Sequence, residues 1–110
     1  MSEARTTPYT GDIGTMIEYA TDGIVSKTVV DEPRVKAVLF SMSAGQSLSE
    51  HTASMPASIH VLEGEASILL GETRHPSPPG TYIYMPANLN HAVDAVTDTV
   101  FLLHLHRGEA

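Results

Sequence analysis

The chain has 110 residues, 42% of them hydrophobic, with no cysteine and a formal net charge of −7. That length supports one buried core rather than two. Six Lys and Arg against thirteen Asp and Glu exclude the clustered cations that phosphate-backbone binding requires, so nucleic acid is not an expected partner. Without cysteine there is neither a disulfide framework nor a thiolate site, and a bound metal would have to be held by His, Asp, Glu, Asn or Gln.

The first dozen residues, rich in Thr, Pro and Gly, predict an N-terminal arm over 1–12 on a single domain spanning 1–110. They lack the apolar centre of a secretory signal, and the longest apolar runs, "AVLF" and "VFLL", are far too short to span a membrane. A soluble, cytoplasmic protein is the expectation.

Short runs rich in Val, Ile, Leu, Tyr and Thr then follow in strand-like lengths: Met16–Ala20, Ile24–Val30, Arg34–Met42, Ser58–Leu62, Ala66–Leu70, Tyr82–Met85, Ala92–Val96 and Val100–His106. Turn signals separate them, among them Asp31–Pro33, Ser43–Gly45, Glu63–Gly64, Gly71–Glu72 and Pro76–Gly80. No window sustains a helical period over ten residues, and only the start of the chain has room for a helical turn. Many short strands with frequent turns predict an all-β sandwich or barrel.

Two segments carry a pattern more specific than strand periodicity. In Gly45–Gly64, five residues separate Gly45 from His51, and Gly64 closes the segment inside "VLEGEA". In Gly80–Ala95, "GTYIYMPANLNHAVDA", Gly80, Pro86 and His91 hold a second fixed spacing. These resemble the two motifs of the cupin superfamily, G-x5-H-x-H-x3,4-E-x6-G and G-x5-P-x-G-x2-H-x3-N, in the right order and over about half of the chain. The resemblance implies a small single-domain cupin of the conserved-barrel, RmlC-like type: a double-stranded β-helix, or jelly-roll barrel, of two antiparallel sheets. It also implies a homodimer.

The departures from the motifs concern the metal. The family's second histidine is replaced by Ala53, its acidic ligand by Ala57, the second-motif glycine by Asn88 and the final asparagine by Ala95. Asn tolerates a left-handed backbone, so Asn88 is expected to preserve the turn. Of the four metal ligands that the resemblance implies, His51 and His91 remain, and they are expected to meet near one end of the barrel. A divalent metal (Fe, Mn, Ni or Zn) usually needs at least three protein donors.

His60 is the nearest candidate for the third. Strand alternation places it opposite to Ile59 and Val61, and only a bulge near Pro56 would reverse that phase. In "VFLLHLH", Phe101, Leu103 and Leu105 form one face and Leu102, His104 and His106 the other. His60, His104, Tyr82 and Tyr84 are thus expected on a shared outer patch suited to a dimer interface. His75 is expected at the solvated surface.

Three kinds of function remain open, one of them a mainly structural dimer module. Another is metal chemistry of dioxygenase, isomerase or lyase type on a small molecule, with metal on His51, His91 and, as the candidate third donor, His60. The third is a metal-free binding or sensor domain in which the pocket histidines hydrogen-bond a small molecule.

Overall fold

The computed structural model describes residues 6–108. Among the described residues nine strands follow a single 3-10 turn at Ile13–Met16: β1 Ile24–Asp31, β2 Val35–Met42, β3 Ser47–His51, β4 Ala57–Glu63, β5 Ala66–Leu70, β6 Thr73–Ser77, β7 Tyr82–Met85, β8 His91–Ala95 and β9 Thr99–His106. They form two antiparallel sheets, one of five strands in the order β1-β2-β9-β4-β7 and one of four in the order β3-β8-β5-β6. This is the expected jelly roll.

Alternation sets the two faces of the five-stranded sheet. Phe40 pairs with Phe101, Phe101 with Val61, and Ile59 with both Leu103 and Ile83. This set points inward and meets Ile68, Val93 and Ala95 of the other sheet in one core. Phe40 and Phe101 stack at 4.9 Å between ring centroids. The opposite face carries Leu39 against Leu102, His104 against both Ala37 and Ser58, and Tyr82 and Tyr84 against His60 and Ser58.

Part of that outer face is covered by the chain before β1. Residues Met16–Ala20 form no ladder strand, contrary to the periodicity. They cross the sheet instead, with the Glu18 amide donating to Ser41 Oγ and the Tyr19 hydroxyl to Glu63 Oε1. Burial, then the Glu63 and Asp98 carboxylates, pushes the Tyr19 hydroxyl up to about 12. Of the expected arm, residues 1–5 lie outside the described residues, and 6–12 are exposed and precede the 3-10 turn.

Left-handed backbone recurs at several turns, those of Gly64 and Asn88 among them. Gly64 has φ +77°, and a Cβ there would lie 1.9 Å from the Asp98 carbonyl oxygen, so no side chain fits. Asn88 adopts φ 69°, as its place in the second motif predicts. Among the described residues no helix is long and apolar enough to cross a membrane.

Candidate functional site

His51 ends β3 and His91 begins β8, and the two are direct partners in the ladder between these strands. A register shift brings them together: Leu48 pairs with Val93, so three steps along β3 match two along β8. Uninterrupted alternation would turn His51 away from the face that Leu48 occupies. The extra residue restores it to that face. The rings sit 4.1 Å apart between centroids at 60°.

Both rings are oriented in the same way. His51 Nδ1 lies 2.9 Å from the Ser49 carbonyl oxygen, and His91 Nδ1 lies 2.9 Å from that of Leu89. A carbonyl oxygen only accepts, so each Nδ1 carries the hydrogen, and in the neutral form of either ring the lone pair is then on Nε2. The histidines therefore present two acceptors at the pocket.

That pocket lies between the sheets, with a cavity volume of about 130 Å³, and is lined by His51, His91, Phe40, Leu48, Ile59, Val93, Phe101 and Leu103. His51 is exposed at the rim, whereas His91 is 8% exposed. The six other lining side chains are apolar and none of the eight is a lysine, arginine or carboxylate. Sequence reasoning reached the histidines through the motifs but not the apolar wall, which is contributed by β2, β4 and β9 as well as by β3 and β8.

His60 does not join this pair, which corrects its place as the candidate third metal donor. Strand β4 pairs with β7 in unbroken register from Ala57 to His60, so no bulge near Pro56 reverses the phase. Ile59 faces the pocket, and His60 lies on the outer face with its ring 6.3 Å from that of Tyr82. The bulge that shapes the site is in β3 instead. Ala57 is buried in the core cluster and Ala53 is half-buried in the loop before it; neither lines the pocket.

The donor set falls short of a resident metal centre. Among the described residues no group of three or more His, Asp or Glu side chains is placed to hold a metal ion. The carboxylate beside His51, that of Glu50, accepts a hydrogen bond from Asn90 Nδ2 at 2.9 Å. Asp94, on β8, is bound by Ser47 and Arg74, which hold its carboxyl below the usual range, the Ser47 hydrogen bond most strongly. Two imidazoles remain, at least one donor fewer than such a centre requires.

The outer face gathers the other histidines of β4 and β9. His106 Nε2 is 2.8 Å from Ser58 Oγ, and its ring is 6.0 Å from Tyr84. Burial, then the neighbouring His106 and His60, lowers the titration of His104. Tyr82 and Tyr84 are 63% and 58% exposed, an unusual display of aromatic surface. His75 is exposed, as expected, but lies within β6.

Comparison with known proteins agrees with this fold. A conserved protein of unknown function from Streptococcus pyogenes superposes with a TM-score of 0.84 at 27% identity, covering 100% of this chain and 98% of its own. A cupin superfamily protein from Desulfitobacterium hafniense gives 0.84 at 22% identity, covering 97% and 100%. A cupin 2 conserved barrel domain protein from Leptotrichia buccalis is 33% identical over 84% of this chain and 45% of its own, with a TM-score of 0.79. No curated protein matches the sequence. The cupin domain family matches residues 38–109, and the chain belongs to that family.

Proposed function

We propose that this cupin is a small-molecule-binding domain whose pocket holds its ligand without a resident metal. The observation that carries this reading is the lining: six apolar side chains around two histidines with Nε2 available. A largely apolar pocket with a few convergent polar groups is the common design of a ligand site. Its volume approaches that of an engineered apolar cavity of about 150 Å³ that takes up benzene. The test is a fragment screen by amide NMR on the full chain. Shifts converging on Leu48, Val93 and Leu103 are expected. Fragments that bind only elsewhere would contradict the reading.

A second reading has one observation in its favour. Histidines that ligate metals usually donate the other ring N–H to a carbonyl or carboxylate, as both do here. A divalent ion held on the two Nε2 atoms would need further donors from its ligand, and dioxygenase, isomerase or lyase chemistry would belong to that ternary site. Melting curves with excess Fe, Mn, Ni or Zn separate the readings, because a ligand specific to the folded state raises its apparent stability. The metal-free reading expects no rise that depends on His51 and His91.

A further inference from the structure

The two polar side chains that line the pocket are both histidines, and that selects among ligands. We propose, resting on the ligand-binding reading, that the pocket takes a compact single-ring hydroxyl compound, a phenol or catechol. The ring fills the apolar end and the hydroxyls donate to Nε2 of His51 and His91.

Three observations support this class. With both Nδ1 hydrogens committed to the Ser49 and Leu89 carbonyls, the neutral rings offer acceptors and lack donors. A hydroxyl supplies the missing hydrogen; a carboxylate has none to give. No lysine or arginine lines the cavity, so an anion would leave water without gaining a cation. A purely apolar ring would leave Nε2 of the buried His91 without a partner. The cavity of about 130 Å³ suits one ring rather than two. Because the histidines are adjacent ladder partners, two neighbouring hydroxyls have an acceptor each.

The experiment is calorimetric titration of the untagged full chain with catechol, phenol and benzoate, under nitrogen, with and without EDTA, at about pH 8, where an ordinary imidazole is neutral. Catechol is expected to bind tightest, phenol roughly tenfold more weakly for the loss of one hydrogen bond, and benzoate weakest. His51→Phe, at the exposed rim, is expected to bring the catechol-to-phenol ratio close to one. Leu48→Trp, which fills the cavity from a half-buried position, is expected to abolish both. Benzoate binding as tightly as catechol, or a ratio untouched by His51→Phe, would overturn the ligand class while leaving the pocket reading intact. Catechol binding that EDTA eliminates would overturn direct recognition by the histidines. Failure of all three probes to bind the parent would overturn the class; the fragment screen decides the pocket reading separately.

Discussion

His104 stands on β9 among groups that resist its protonation. Burial is the largest cause of its lowered titration, followed by the charges that His106 and His60 would carry. In the unfolded chain the same ring takes up a proton near pH 6.5. As pH falls below that value the unfolded state binds the proton first, so stability present above about pH 6.5 declines until the lowered folded value is passed. Melting temperature is expected to fall over that acid window, and His104→Gln to flatten the fall; an unchanged slope would contradict this role. A core residue should behave differently. Phe101 is 1% exposed and stacks on Phe40, so Phe101→Ala is expected to cost about 3–5 kcal/mol in denaturant unfolding with little dependence on pH.

At the scale of elements, seven strands are legible as apolar or alternating runs, and two are not. β3 reads "SLSEH" and β6 reads "TRHPS"; both flank the four-stranded sheet as edges, where polar residues and proline protect against unwanted pairing. Met16–Ala20 has strand-like composition but packs across a sheet without joining it, a tertiary choice that local pattern does not encode. The motif spacing located His51 and His91, whereas the bulge that turns His51 inward sits within polar β3 and leaves no hydrophobic signal. Asn88 and Gly64 were readable because left-handed turns restrict residue type. The glycines also yield a comparison: Gly45→Ala and Gly80→Ala meet no atom within 4 Å and carry only their positive φ, whereas Gly64→Ala also meets Asp98. The first two are expected to cost about 1–2 kcal/mol each, and Gly64→Ala more than either in the same unfolding assay.

For the whole molecule, two faces of the five-stranded sheet have separate tasks. The inner face builds the core and pocket, while the outer face exposes Tyr82 and Tyr84 beside His60, His104 and His106. These outer side chains include no carboxylate, so two copies of an acidic chain would meet there without direct like-charge repulsion. A homodimer through this face is expected by sedimentation at neutral pH, weakening toward about pH 5 as buried histidines charge. A monomer at neutral pH, or a dimer indifferent to acid, would contradict it. The pocket faces the other way and should bind ligand in either state. The property proposed for it, two imidazoles serving a ligand rather than a resident ion, is tested most directly by elemental analysis of untagged protein as purified. Metal far below one atom per chain is the predicted result; one atom per chain, lost in both His51→Ala and His91→Ala while the fold persists, would contradict it.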